Sequence, residues 1–242
     1  WRDNPWFPVE LENERRHAEE SGSKDLYLHT WEGHCLRVLD GAVYADEMRK
    51  MREEGRIGRV PYEPSKPVYT FWDLGFGDNT AIWFVQSVGM QVRVIDYYSA
   101  NRQPLTHYVQ MLQSRGYVYA EHGLPHDARH ANLGTGKTVQ EMLEELGLKI
   151  RIVPQVGIDN GIQAVRRVMP NVWIDDKCAD GIRCLEYYHY ETNKDGGAHA
   201  KPAHDWSSHG ADAFRYFAVG FEEKTATPLK IKPPRSRNAW MG

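Results

Sequence analysis

The strongest constraint on the fold is an ordered change of pattern after Pro67. Runs rich in β-branched and aromatic residues come first, at Val68 to Trp72, Thr80 to Val88 and Gln91 to Tyr98, and a Gly89-Met90 turn joins the last two. Beyond them, amphipathic helices alternate with short strands. An antiparallel hairpin followed by helix–strand alternation predicts an α/β fold, with a mixed β-sheet flanked by helices.

The later elements follow from their own periodicities. Helices are predicted with apolar faces at Leu105 to Leu112, Val139 to Leu146, Asn160 to Val168 and Ala179 to Tyr190, and strands at Tyr117 to Glu121, Ile150 to Val153 and Val172 to Ile174. A last helix is predicted to begin near Ser207 or Ser208, which are good capping residues. The polar segment Thr192 to His204 is predicted to be a loop.

Composition divides the chain into three parts. The first sixty residues contain charged helical patterns at Leu11 to Glu20 and Ala45 to Glu54, and three prolines follow within Pro61 to Pro67. Proline disrupts both helix and strand, so this stretch predicts a boundary. We therefore predict a lead-in over residues 1–66, a main domain over 67–223, and a basic, flexible tail over 224–242.

Several protein classes are excluded by simple counts. At 242 residues with 41% apolar residues, the chain can bury a full core. It contains no run of 18 apolar residues and no signal-like start, so we expect a soluble protein that is not exported and has no membrane partner. Its three cysteines are odd in number and form no Cys-x-x-Cys pair, which argues against disulfides or a zinc knuckle. The start at Trp1 suggests a piece of a longer protein.

Three aspartates occupy positions that suit a metal site. Asp73 ends the first strand and is followed by two glycines, Asp127 follows the Tyr117 strand, and Asp212 lies near the start of the last helix. Singly, each is better explained as a turn or cap residue than as a catalytic one. Jointly, carboxylates from different elements of one α/β sheet predict an oxygen-rich pocket for Mg²⁺ or Mn²⁺.

Such a pocket suits hydrolysis of a phosphodiester with two metal ions. In this hypothesis Asp73 bridges both ions, while Asp127 and Asp212 each complete one. Asp78 is a candidate auxiliary ligand, although an Asp-Asn pair also favours a turn. The net charge of −3 gives no general signal for DNA, so double-stranded DNA enters as a partner only through this chemistry.

A phosphate-loop pattern is imitated at Gly134-Thr135-Gly136-Lys137-Thr138, but Ala131 stands where the motif requires glycine. We therefore expect no nucleotide site, and instead predict that Thr138 caps the following helix. Lys137 and Arg129 are predicted to face the DNA backbone near Asp127, and Arg166 with Arg167 are weaker candidates for phosphate contacts.

Five short motifs carry a resemblance to a known family. They are Asn4-Pro5-Trp6-Phe7-Pro8, His29-Thr30-Trp31-Glu32-Gly33, Asp40-Gly41-Ala42-Val43-Tyr44, Trp72-Asp73-Leu74-Gly75 with Asp78-Asn79-Thr80-Ala81, and Ser208-His209-Gly210-Ala211-Asp212-Ala213-Phe214-Arg215-Tyr216. In this order they resemble the C-terminal part of a tailed-bacteriophage terminase large subunit. The resemblance spans nearly the whole chain.

The resemblance implies a ribonuclease H-like nuclease domain that cuts concatemeric viral DNA during genome packaging, leaving a 3′-hydroxyl and a 5′-phosphate. It maps the catalytic acids onto Asp73, Asp127 and Asp212. It also implies an upstream ATPase domain in the same protein, with the small terminase subunit and the portal as partners in the host cell cytoplasm. Two alternatives stay open: a resolvase- or transposase-like nuclease, and a non-catalytic docking module.

Overall fold

The computed structural model describes residues 1–2, 4–21, 27, 30–33, 41–75, 77–131, 136–191 and 201–226, with only the backbone for residues 21 and 222–226. Its helices are α1 (Val9–Ser21), α2 (Ala45–Glu53), α3 (Leu105–Ser114), α4 (Val139–Glu145), α5 (Ile158–Val168), α6 (Ala179–Tyr187) and α7 (Ser208–Ala226). The strands are β1 (Ile57–Gly58), β2 (Val68–Asp73), β3 (Asn79–Val88), β4 (Gln91–Asn101), β5 (Tyr119–Leu124), β6 (Ile150–Ile152) and β7 (Val172–Asp175).

These strands form one mixed sheet in the order β1-β7-β4-β3-β2-β5-β6. The central pairs β2–β3 and β3–β4 are antiparallel, and the outer pairs are parallel. The prediction of an antiparallel start followed by helix–strand alternation is confirmed. Because β2 and β5 are parallel neighbours, their carboxyl ends lie at the same edge of the sheet.

Successive side chains of each central strand point to opposite faces of the sheet. Helices cover both faces, so both sets of side chains are buried. Phe71 and Trp83 pack on the face covered by α5, α6 and α7. Trp72 and Phe84 pack on the other face, where α3 and α4 supply Tyr108, Leu112 and Leu143. Large rings on alternating positions therefore hold helices against both sides.

The segment 41–60 packs into the same core as the later elements. Tyr44, Met48 and Met51 are fully buried against α5 and α6, and β1 pairs with β7. Arg56 Nη1 donates to the carbonyls of Met169 and Val172 at 2.6 and 2.9 Å. The boundary predicted near residue 66 stays a prediction, while this part of the lead-in contributes directly to the core.

Some predicted bounds were wrong. The strand predicted at Tyr117 to Glu121 runs instead from Tyr119 to Leu124, and the two-residue strand β1 was not anticipated. Thr138 caps α4 as predicted: its side chain accepts from the backbone N–H of Glu141 in a capping box. The predicted loop at 192–204 lies outside the described residues over 192–200, and so does the tail over 227–242. None of the described helices is both long enough and apolar enough to cross a membrane.

Candidate active site

Asp73 is placed by the end of β2. Its strand neighbours are β3, where Asp73 pairs with Ala81, and β5, where Phe71 pairs with Gly123. The chain then turns, and Thr80 fastens the turn by donating from Oγ1 to the Gly75 carbonyl at 2.8 Å. The Asp73 side chain is 18% exposed, so its carboxylate is partly shielded from solvent yet open at the sheet edge.

Asp212 is placed by α7, which packs across β2, β3 and β5. Two features fix the start of this helix: Trp83 Nε1 donates to the Gly210 carbonyl at 2.8 Å, and the α-carbon of Gly210 lies directly against Cys184. A Cβ at position 210 would stand 2.6 Å from Cys184 Cβ, so only glycine permits this approach. Phe214 and Phe217 then bury the same helix face.

The carboxylate of Asp212 is held through one oxygen. Arg215 Nη2 lies 3.1 Å from Oδ1, and the Tyr188 hydroxyl donates to the same Oδ1 at 3.5 Å. The pKa of Asp212 is raised to about 6: burial is the largest cause, Arg215 opposes the rise, and the negative charge of Asp73 contributes to it. Asp73 is therefore close enough to Asp212 to disfavour its ionisation.

His209 contacts Asp73 and lies on the same helix as Asp212. Its Nδ1 lies 3.3 Å from Asp73 Oδ2, and it precedes Asp212 by three residues on α7, so both side chains emerge on one helix face. The hydrogen bond to Asp73 raises the pKa of His209, and the charges of Asp78 and Asp212 act in the same direction. Sequence reasoning did not assign His209 to this site, although the spacing of three residues was a signal for it.

Asp127 lies at the same edge of the sheet. It sits in a 3₁₀ turn, His126–Arg129, directly after β5, and its side chain is exposed. The half-buried hydroxyl of Tyr216 has its pKa raised to about 12, mainly by burial, and the negative charges of Asp73, Asp212 and Asp127 contribute to that shift. That Asp127 forms one site with Asp73 and Asp212 stays a prediction.

The donor chemistry of this edge fits a hard divalent cation. Asp73 and Asp212 are carboxylates, which Mg²⁺ and Mn²⁺ prefer, and their mutual repulsion is the kind that a bound cation relieves. Across the part of the chain that the structure describes, no three His, Cys, Asp or Glu side chains are grouped tightly enough to form a metal site by themselves. The role of Asp73, Asp127 and Asp212 as ligands stays a prediction.

The other candidate residues are dispersed. Asp78 is exposed after β2, and its charge reaches His209. Arg129 is exposed in the turn that carries Asp127, whereas Lys137 Nζ binds both carboxylate oxygens of Glu145 at 2.6 and 2.7 Å. Arg166 donates to the Val43 carbonyl at 2.8 Å and lies 3.3 Å from Glu47.

Arg167 is exposed on α5, next to Arg166 in the chain. Of the four predicted DNA-contacting residues, Arg129 is thus the one that shares a structural element with a candidate catalytic acid. Arg166 joins α5 to the segment 41–60. Their roles toward DNA stay predictions.

Comparison with solved structures finds large terminases of bacteriophages and their nuclease domains. The large terminase of a thermophilic bacteriophage superposes with a TM-score of 0.60 at 16% identity, covering 91% of this chain and 54% of that one. The nuclease domain of the P22 large terminase gives a TM-score of 0.56 at 14% identity, covering 68% and 86%. The nuclease domain of the large terminase from bacteriophage SPP1, with bound Mn, gives 0.50 at 17% identity, covering 69% and 95%.

The chain spans about half the length of the thermophilic-phage large terminase. No family model matches this sequence. No curated protein matches it either. At these identities the superpositions establish the fold, and that part of the sequence resemblance is confirmed. The chain has the ribonuclease H-like fold of the nuclease domains of phage large terminases.

Proposed function

We propose that this chain is a DNA endonuclease that depends on Mg²⁺ or Mn²⁺ and cuts concatemeric viral DNA during genome packaging. The observation that carries the proposal is that α7 places His209 3.3 Å from Asp73 at the end of β2 and carries Asp212 three residues further on, in a chain with the fold of terminase nuclease domains. The pKa of Asp212 is raised to about 6 by burial and by Asp73, an arrangement that is costly without a positive charge.

The residues have distinct parts in this proposal. Asp73 and Asp212, with Asp127 from the next strand, would hold two cations. Arg215 and Tyr188 fix Asp212 through Oδ1, which leaves Oδ2 for a cation. His209 fixes Asp73 through Oδ2. When bound, two divalent cations supply activation of water and neutralisation of the phosphate and leaving oxygen.

Double-stranded DNA is the proposed substrate, and we expect the protein to contact it mainly through positive side chains beside the candidate active site. A net charge of −3 gives no general attraction for phosphate, so positive charge beside the site matters most. Arg129 lies two residues from Asp127 and is exposed, which suits a contact that positions the backbone without reading sequence.

The packaging partners are proposals of the same kind. The chain corresponds to about half of the thermophilic-phage large terminase, which supports an ATPase domain upstream in the intact protein. By resemblance, the small terminase subunit and the portal are further partners, and the host cell cytoplasm is the place of action.

A plasmid cleavage assay tests the proposal. Supercoiled plasmid is incubated with the purified chain and Mg²⁺ or Mn²⁺, with EDTA as the blank. Wild-type protein should nick and linearise the plasmid, whereas Asp73→Asn and Asp212→Asn should lose at least about 100-fold in rate. The matched control is Asp159→Asn, an exposed aspartate in the first turn of α5, which should cut at the wild-type rate. Full activity in Asp73→Asn or Asp212→Asn would refute the assignment.

A further inference from the structure

A small cleft of about 180 Å³ opens beside the candidate catalytic acids. His209 forms part of its wall and also binds Asp73 Oδ2 at 3.3 Å, so one imidazole ring separates the cleft from that carboxylate. Asn79, the first residue of β3, forms the wall nearest to the turn that follows Asp73. A group held in this cleft would therefore adjoin the phosphate that the acids are proposed to cut.

The cleft is too small for most organic ligands, since pockets for drug-sized molecules measure about 300–1,000 Å³. A cleft of this volume is better suited to a single planar ring. Its lining includes Tyr97 and Ser99, whose hydroxyls are hydrogen-bonded to each other, and Asn79 with its amide side chain. These groups include both hydrogen-bond donors and acceptors. Nucleobase edges carry the complementary mixture of donors and acceptors.

Charge argues against a simple phosphate site. Among the described lining residues, Asp180 carries a negative charge and Arg183 a positive one, so these two offset each other, and His209 is bound to the carboxylate of Asp73. Sites that bind phosphate depend on a surplus of Lys and Arg. The cleft is therefore better matched to the neutral part of a nucleotide, the base, than to its charged part.

The rim supplies a stacking surface. Trp206, just before α7, is 48% exposed, so part of its ring surface is accessible. Arg183 lies over its indole ring with the guanidinium carbon 5.5 Å from the centroid, and the centroid of the Tyr187 ring lies 5.7 Å from that of Trp206. Proteins that bind unpaired strands use such aromatic and arginine surfaces to stack bases.

We propose that this cleft binds one unpaired nucleobase of the DNA strand next to the scissile phosphodiester, with stacking on Trp206 and with hydrogen bonds from the polar lining. The inference rests on the proposed nuclease function and deepens it: the preferred substrate is duplex DNA with a locally unpaired nucleotide. Extruding a base costs a few kcal/mol in intact duplex and less where pairing is already broken.

Binding without cleavage tests the inference. Fluorescence anisotropy in EDTA compares a labelled duplex with the same duplex carrying one unpaired nucleotide. Wild-type protein should bind the second at least about fivefold more tightly, as one stacked base predicts. Trp206→Ala should lose that preference while keeping its affinity for intact duplex, and Trp206→Phe should keep most of it. Arg183→Gln should also reduce the preference, because the guanidinium of Arg183 lies over the Trp206 ring.

The control variant is Met90→Ala. Met90 is 91% exposed in the turn after β3, at the opposite end of that strand from Asn79, and its loss should leave both affinities unchanged. A wild-type protein without preference, or a preference that persists in Trp206→Ala, overturns the inference. Because the assay contains no metal, its result is independent of plasmid cleavage: a preference lost in Trp206→Ala with no metal-dependent cutting contradicts the nuclease proposal alone.

Discussion

Arg215 Nη2 lies 3.1 Å from Asp212 Oδ1, one turn along the same helix, in an ion pair in which the side chains are 12% and 23% exposed. The stem of Arg215 packs on the backbone of α5, where a Cβ at Gly161 would stand 2.5 Å from Arg215 Cδ. The pair therefore joins two helices while it orients a candidate catalytic acid.

Replacing Arg215 with Met keeps the stem and removes the charge. Asp212 would then be a half-buried carboxylate without its cation, and breaking such a pair destabilises a protein by about 3 kcal/mol. We expect that loss in the free energy of unfolding by urea at pH 7. The double variant Arg215→Met with Asp212→Asn should recover part of the loss, since no charge is left unpaired. Equal destabilisation of the single and double variants would contradict this account.

The Asp212 carboxylate should itself be a cost to the metal-free fold. Its folded-state pKa of about 6 lies above the ordinary value of 3.8, so the folded protein binds more protons than the unfolded chain between these values. The stability contributed by the protonated form is complete below about pH 3.8 and is lost as pH rises through about 6.

Accordingly, metal-free Asp212→Asn should be more stable than wild type at pH 7, by up to about 3 kcal/mol, with a much smaller difference at pH 4. Thermal and urea unfolding in EDTA at the two pH values measure both quantities. The account is contradicted if the stability gained by Asp212→Asn over wild type is smaller at pH 7 than at pH 4.

A second pH dependence comes from the other face of the sheet. His122 is buried on β5, and burial lowers its pKa to about 4. Trp72 Nε1 donates to Thr70 Oγ1 at 2.7 Å, and Thr70 Oγ1 is in turn hydrogen-bonded to His122 Nδ1 at 2.7 Å. With this pKa the buried ring is neutral at pH 7.

Because the unfolded chain takes up a proton at His122 from about pH 6.5 and the folded chain only near pH 4, stability should fall across that interval as the solution is acidified. The contribution is roughly 3 kcal/mol at most. In His122→Gln the stability curve between pH 4 and 6.5 should be flatter than in wild type. Curves of equal slope would show that His122 titrates normally in the folded state.

Sequence patterns predicted the fold well where the local and tertiary signals agree. The hairpin β3–β4 and the helices with clear apolar faces were confirmed, since each buries its own periodic face. The strand β5 was displaced because Tyr117 and Val118 have high strand propensity, whereas the paired residues include Glu121, His122 and Gly123. There the ladder between β2 and β6 outweighs propensity.

The site was predictable in part for the same reason. Asp73 and Asp127 follow strands that were predicted to share a sheet, so a position at a common edge could be inferred from the pattern. The assignment of Asp212 as a third acid came from the resemblance of its motif. The supporting residues His209, Arg215 and Tyr188 were not found. His209 and Arg215 lie three residues on either side of Asp212, which is a local signal, but the Tyr188 contact comes from α6 packing on α7 and has no local signature.

Titration of Mn²⁺ into the metal-free protein, followed by calorimetry, tests the central claim most directly. Wild-type protein should bind Mn²⁺, and Asp73→Asn and Asp212→Asn should each lose at least about tenfold in affinity, while Asp159→Asn binds as wild type does. If wild-type protein binds no Mn²⁺, or if Asp73→Asn and Asp212→Asn bind it undiminished, the paired carboxylates at the end of β2 are not a metal site.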